Sequence, residues 1–285
     1  MGPDAYRMAG LAGALRTLGH RVTDLGNITA ATVPPVNLDH SAYGLDETIG
    51  WAQSLAAAAQ TAMADGIPVF LRGDHALSLG SVAGVGRHAA AHGQPQFVLW
   101  LDANSDFHTA QSSQLGNRHG TPQPYLTGRD GFPRFPVFNN PIPEANVCMV
   151  GLRSVEPAEH AALAHSQIAH HDMRDIDETG TAKPLAQFLT RVASAGGALH
   201  VSLNVDFLDP SVAPTVSTNL PGGATVREAH LVMEMLHNIG LMTSLDLVEL
   251  NPFLDECGKT ALLMVDLAAS AFGRRVFDRP TRQFN

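Results

Sequence analysis

Cysteine is nearly absent from the chain. The two present, Cys148 and Cys257, have no CxxC spacing, which excludes a disulfide-stapled scaffold and fits a reducing compartment. No apolar run approaches ~18 residues and no basic-then-apolar leader opens the sequence, so neither a membrane span nor a secretory signal is expected, and the expected location is cytoplasmic. Positive charge is also in short supply, with 18 Lys and Arg against 27 Asp and Glu for a formal net charge of −9. That balance argues against a nucleic-acid-binding face but is compatible with attracting a cationic small molecule. Gly84-Val85-Gly86 lacks the GxxxxGK[ST] spacing and no GxSxG elbow occurs, so neither a phosphate loop nor a serine-hydrolase nucleophile is indicated. What the sequence does have is apolar residues, 45% of 285 against 16% charged. This is ample for a large core, and one domain over 1–285 is expected.

Short β-branched runs alternate with Ala/Leu-rich stretches, the pattern of a three-layer α/β/α fold with a mostly parallel central sheet. Strands are expected near Arg21–Leu25, Pro68–Leu71, Phe97–Leu101, Asn146–Val150, Ile168–Asp172, Ala198–Val205 and Thr243–Leu250. A helix is expected from Asp4 to Leu18, and others near 46–64, 77–88, 157–165, 184–195, 227–239 and 258–272. The segment Thr109–Ala145 reads as a long irregular excursion, a length usually functional or disordered.

In open parallel sheets ligands bind beyond the carboxyl ends of the strands, and the unusual polar residues fall there. His75 follows one strand; Asp102, Asn104 and Asp106 follow the next; Asn204, Asp206 and Asp209 end another; Asp246 and Glu249 close the last. Spacing by two aims Asp102, Asn104 and Asp106 the same way in extended chain. Clustered carboxylates repel unless a cation or protons compensate, and oxygen ligands with one imidazole suit an ion such as Mn²⁺. A metal site built from His75, Asp102, Asp106 and Asp206 is one reading. Turn and cap chemistry accounts for each segment taken alone. His170-His171 project to opposite faces of a strand and read as packing or surface residues.

These segments resemble a known family. Gly73-Asp74-His75-Ala76-Leu77-Ser78-Leu79-Gly80 is similar to the GGDHSLAIG-type motif of arginases and agmatinases, the ureohydrolases. Trp100 to Asp106 resembles WxDAHxD, Gly116 to Gly120 resembles GNxHG, Ser202 to Pro210 resembles SFDVDxLDP, and Asp246 to Pro252 resembles DxxEVNP. The matches run in order over nearly the whole chain and lean toward arginase.

The resemblance implies an arginase-like hydrolase that cleaves a guanidino or amidino C–N bond of an arginine-type substrate and releases urea at a binuclear Mn²⁺ site. It implies His75, Asp102 and Asp106 as ligands of the first ion, Asp102 as a bridge and Asp206 as a ligand of the second. It further implies His119 as a proton shuttle, Glu249 facing the guanidinium, Asp106 among the catalytic residues, and a pocket drawn from His108, Ser113, Glu156, Thr218 and Glu249. A homotrimer is the assembly that the family suggests; nucleic-acid and membrane partners are not expected.

Four departures qualify this. Asn104 stands at a histidine ligand position and Asn204 at a bridging-aspartate position, and amide oxygens hold Mn²⁺ far more weakly. One ion rather than two, or none, is therefore expected. His108 and Leu115 replace the asparagine and serine that meet an α-carboxylate, so a guanidino compound other than free L-arginine remains a candidate. The sequence begins without the family's first strand ahead of Gly2-Pro3; a misplaced start accounts for this as well as a true loss does, and a true loss should loosen pairing at Arg21–Leu25. Two readings follow: a hydrolase with a compromised metal site, preferred because His119 and Glu249 are otherwise unneeded, or an inactive arginase-like protein that binds a ligand or partner subunit.

Overall fold

The computed structural model describes residues 1–33, 45–108, 122–129, 140–216 and 219–275. Pro3 in the first turn starts α1 (Gly2–Met8), and α2 (Leu11–Thr17) follows. The single helix expected over this stretch is broken at Gly10, whose left-handed φ of 86° re-aims the chain. Residues 20–33 form neither helix nor strand, so the strand expected at Arg21–Leu25 does not form.

Helix α3 (Leu45–Ala62) precedes β1 (Val69–Leu71), then α4 (Ser78–Ala91), β2 (Gln96–Leu101), α5 (Pro122–Leu126) and β3 (Val147–Leu152). There follow α6 (Pro157–Ala164), β4 (Ala169–Asp172), α7 (Met173–Thr179), α8 (Ala182–Ser194) and β5 (Ala198–Asn204). The described chain finishes with α9 (Val226–Ile239), β6 (Met242–Val248) and α10 (Lys259–Ala271). Helix α7 was not expected; its cap is Asp172, whose side chain accepts from Asp175 N.

The six strands form one sheet in the order β1-β6-β5-β2-β3-β4, and every pair is parallel. Among the described residues β1 forms one edge of the sheet, and Arg21–Leu25 does not extend it.

Alternation along β2 shows how the layers form. Phe97, Leu99 and Leu101 pack with Tyr6, Leu11, Leu189, Val232 and Met264 from the helices of one face, while Val98 and Trp100 pack with Ala52, Leu79, Val82 and Leu163 of the other. Both faces are therefore covered, which is why β2, β3 and β5 are buried at every residue. Each such Leu or Val contributes about 1.5–3 kcal/mol. Gly80 and Gly84 exist for packing: a Cβ at Gly80 would sit 2.8 Å from Ala52 O, and one at Gly84 would strike Ala56 O. Small residues at these positions let α4 lie directly on α3. No helix among the described residues is long and apolar enough to cross a membrane.

Candidate functional site

The strand order reverses between β2 and β5: the chain moves from β2 outward to β3 and β4, then returns to β5 and runs the other way to β6. Such a switch point leaves a crevice at the carboxyl ends of the two strands. Asp102 follows β2 there, Asn204 ends β5, and Asp206 lies in the 3-10 turn Val205–Phe207 just beyond. His75 opens the 3-10 turn Asp74 caps, after β1, and Glu249 follows β6.

The geometry is compact and dry. His75 Nδ1 lies 2.8 Å from Asp102 Oδ2 and 3.2 Å from Asp106 Oδ2. Its Nε2 meets Ser202 Oγ at 2.8 Å, and its ring stacks on Trp100 at 3.9 Å. These two contacts fix the plane of the imidazole and leave Nδ1 directed at the two carboxylates, to which it donates its proton in the metal-free site. Burial alone would depress the His75 pKa, but hydrogen bonds to Asp102 and Asp106 outweigh it and hold the imidazole at about 10. Burial, with the charge of Asp102 close by, lifts the Asp106 carboxyl to about 7, and the same causes raise Asp206 well above the usual carboxylate range. Protons thus hold together a group of acids that would otherwise repel.

Two of these residues are held in uncommon backbone conformations. Asp106 has φ 49° and Glu249 φ 65°, the left-handed region that non-glycine residues rarely adopt and that tends to cluster at functional sites. Glu249 Oε1 accepts from His75 N at 2.7 Å, which ties the end of β6 to the His75 turn. The loop from Asp102 to His108 is fastened from α6: Glu159, 4% exposed, accepts from Ser105 Oγ, Phe107 N and Glu156 N. Glu159 was missed as a site residue, although Glu156-Pro157-Ala158-Glu159 carries the cap, N1-proline and N3-glutamate signature of a helix start.

Ligand atoms of His75, Asp102 and Asp106 all lie within 4.8 Å of one another. One imidazole with two carboxylates suits a divalent ion, so these residues could hold a metal. The other expected ligand positions behave differently. Asn204 Nδ2 donates to Asp102 Oδ2 at 2.9 Å, while its Oδ1 accepts from Asp206 N. It therefore turns N–H rather than oxygen toward the cluster. Asp206 Oδ1 accepts from Ala103 N at 3.2 Å. Asn104 donates its backbone N–H to Asp102 Oδ1 at 2.6 Å and forms an isolated bridge with Ser154. Asp209 does turn work, accepting from Ser211, Gly222 and Gly223 N–H groups, and its hydrogen bonds with Ser211 foremost lower its pKa to about 2.

Beside the cluster, His108 Nε2 lies 3.3 Å from Glu156 and 3.4 Å from Glu159. His119, Ser113, Leu115 and Thr218 lie outside the described residues. His171 meets Asp175 at 3.5 Å, away from the crevice.

Behind the cluster is a second buried polar group that sequence reasoning missed. Arg72, only 4% exposed, forms an ion pair with Asp246, and its Nη2 donates to Ser78 Oγ at 3.0 Å. Asp246 also accepts from Ser78 and Ser81 hydroxyls and faces His200 Nε2 at 3.1 Å. Arg72 stands where the GGDH motif has its first glycine, so its signal was in the sequence.

Comparison with known proteins gives a consistent picture. The sequence model described as "Arginase family" matches residues 1–273. The chain is 56% identical over 283 residues to an arginase of Brucella melitensis, covering 99% of this chain and 92% of that one. It is 37% identical to the human protein "Arginase-2, mitochondrial", covering 96% and 79% respectively. A crystal structure of arginase from Bacillus subtilis superimposes with a TM-score of 0.88 at 32% identity, over 97% of this chain and 93% of that one.

Proposed function

This chain belongs to the arginase family, and from that premise we propose that residues 1–285 form one ureohydrolase domain that cleaves a guanidino C–N bond of an arginine-type substrate and releases urea. The observation that carries the proposal is the convergence of His75, Asp102 and Asp106 within 4.8 Å at the switch-point crevice, with Glu249 bonded to the His75 backbone beside them. The trio would hold Mn²⁺, one ion rather than two. A divalent ion bound there supplies Lewis-acid charge and makes a water acidic enough to attack a guanidinium carbon.

The chain's own residues do the rest. Ser202 and Trp100 orient His75, and Glu159 holds the loop that carries Asp106. Glu249, with one oxygen on His75 N–H, offers its carboxylate charge to a cationic guanidinium. Asp106 is counted among the catalytic residues as well as the ligands, as the family resemblance suggests. His119 is assigned the transfer of a proton to the leaving amine, and His108, Ser113, Glu156 and Thr218 the remainder of the substrate, as the family resemblance suggests. Assembly as a trimer is part of the same reading.

A second reading is favoured by one contact. Asn204 donates to Asp102 where a bridging carboxylate would bind metal, which supports an inactive arginase-like protein that binds a ligand or partner. One experiment separates the two: incubate with excess Mn²⁺, desalt, measure metal per chain, and assay urea release from L-arginine, agmatine and other guanidino compounds. The hydrolase reading expects about one retained ion and urea from at least one substrate. No urea from a metal-loaded chain would overturn it in favour of the second.

A further inference from the structure

Arginine is almost never fully buried unless paired, and Arg72 lies on the sheet face directly beneath the ligand cluster. On that face Ser202 of β5 is in register with Asp246 of β6. Ser202 touches His75, and Asp246 is ion-paired with Arg72. The guanidinium is thus two side chains from the imidazole, and Ser202 and Asp246, which lie between them, are both fully buried. Desolvation pulls the Arg72 pKa down to about 9 while the charges of Asp74 and Glu249 oppose that fall, and it remains a cation at neutral pH. Burial foremost, and after it the charges of Arg72 and His75, depress His200, so both charges act on one buried group.

We propose that Arg72 is a built-in counter-cation of this site: its fixed charge opposes a divalent ion at His75, Asp102 and Asp106 from the sheet side and weakens their hold on it. The inference rests on the reading that this trio binds metal. The alternative is that Arg72 merely clamps β1 and β6 to the start of α4 through Asp246 and Ser78.

Charge and clamping predict opposite signs. A unit charge about 10 Å from a divalent ion, at an effective dielectric near 20, changes affinity by more than about tenfold. Mn²⁺ binding is read from the electron paramagnetic resonance signal of the free ion, with circular dichroism confirming that each variant is folded. Arg72→Met should bind Mn²⁺ at least about tenfold more tightly than the parent, and Asp246→Asn at least about tenfold more weakly. The double variant should return to the parent's affinity, and Arg72→Lys should match the parent throughout.

Should Arg72→Met fail to fold because Asp246 is left bare, the comparison of the double variant with Asp246→Asn carries the same test. There, adding Arg72→Met must tighten binding. A folded Arg72→Met that binds Mn²⁺ no better than the parent overturns the inference while leaving the parent's own metal content and urea release untouched. Parent and variants that all take up no Mn²⁺ overturn this inference and the metal reading together.

Discussion

Replacing Asn204 with aspartate would exchange an amide that donates to Asp102 for a fourth carboxylate beside Asp102, Asp106 and Asp206. In the metal-free protein the change removes the 2.9 Å contact from Nδ2 to Asp102, a hydrogen bond to a charged group of about 1.5–3 kcal/mol. It also places a new charge against Asp102 in a buried site. With about 2–4 °C per kcal/mol for a chain of this size, the metal-free Tm should fall by roughly 5 °C or more. In Mn²⁺ the sign reverses. An added unit charge about 4 Å from a divalent ion is worth about 8 kcal/mol at an effective dielectric of 20. Burial of the carboxylate and its repulsion by Asp102 offset roughly half of this, which leaves about 4 kcal/mol, or some three orders of magnitude in affinity. Thermal unfolding in EDTA and in excess Mn²⁺, together with metal per chain after desalting, reads both effects. A variant as stable as the parent in EDTA and no richer in retained Mn²⁺ would refute the claim that the amide stands in for a metal-binding carboxylate.

Ser202→Ala removes the partner of His75 Nε2 and should weaken Mn²⁺ binding about 10–100-fold with little change in circular dichroism; unchanged affinity would show that Trp100 stacking alone fixes the ring. Acidity should act on metal and fold in opposite directions. His75, held at about 10, Asp106, raised to about 7, and Asp206, raised well above its usual range, must lose protons to bind metal. Apparent Mn²⁺ affinity should therefore fall steadily as pH drops from about 10 and most steeply below 7, with proton release on binding by calorimetry in two buffers. For the metal-free fold, groups with raised folded pKa stabilise at low pH. The contribution from Asp106 is full below its unfolded value near 4 and fades as pH rises through about 7, so metal-free Tm should decline from pH 5 to 8 and excess Mn²⁺ should reverse the decline. Glu249→Gln should cut kcat/KM for urea release at least about 100-fold while Mn²⁺ content stays at the parent's level; equal activity would remove Glu249 from the guanidinium contact.

What was legible in the sequence is what depends on strand ends. Asp102, Asp106, His75 and Glu249 could be placed on one rim because polar residues that close apolar runs must leave the sheet at its carboxyl edge, whatever the strand order. The switch point itself was not legible, since the position of β5 beside β2 is decided by packing over about a hundred residues of chain. Propensity misled at Arg21–Leu25, where a run with Val22 and Thr23 stays irregular, and at Gly10, where a good helical composition is broken by one left-handed residue. The helix α7 was hidden because its cap, Asp172, also reads as the end of a strand. Arg72 drew no reading from the sequence, because a cation between a strand and a turn gives no local sign of burial, and only the fold shows it buried against Asp246.

The departures at this site share a direction. Asn204 withdraws a negative charge from the ligands, Asn104 withdraws a neutral donor, and Arg72 adds a positive charge behind them; each of these changes lowers the attraction for a divalent ion. Loss of function without constraint would be expected to leave some of these groups unpaired, because a buried orphan is the usual result of changing one member of a network. Here Asn204 has both ends of its amide bonded, whereas Arg72 meets Asp246 and Ser78 through Nη2 alone. Its Nε and Nη1 are buried without a hydrogen-bond partner among the described residues, as is Asp246 Oδ1. The Asn204 contacts and the raised pKa values of Asp106 and Asp206 favour a cluster that is stable with protons in place of metal, while His75, Asp102 and Asp106 keep the spacing of a single-ion site. In that balance the metal competes with protons rather than with water alone. Activity, if it is governed by this competition, should rise with pH and with Mn²⁺ concentration together, and a saturating metal requirement that is independent of pH between 6 and 8 would contradict it.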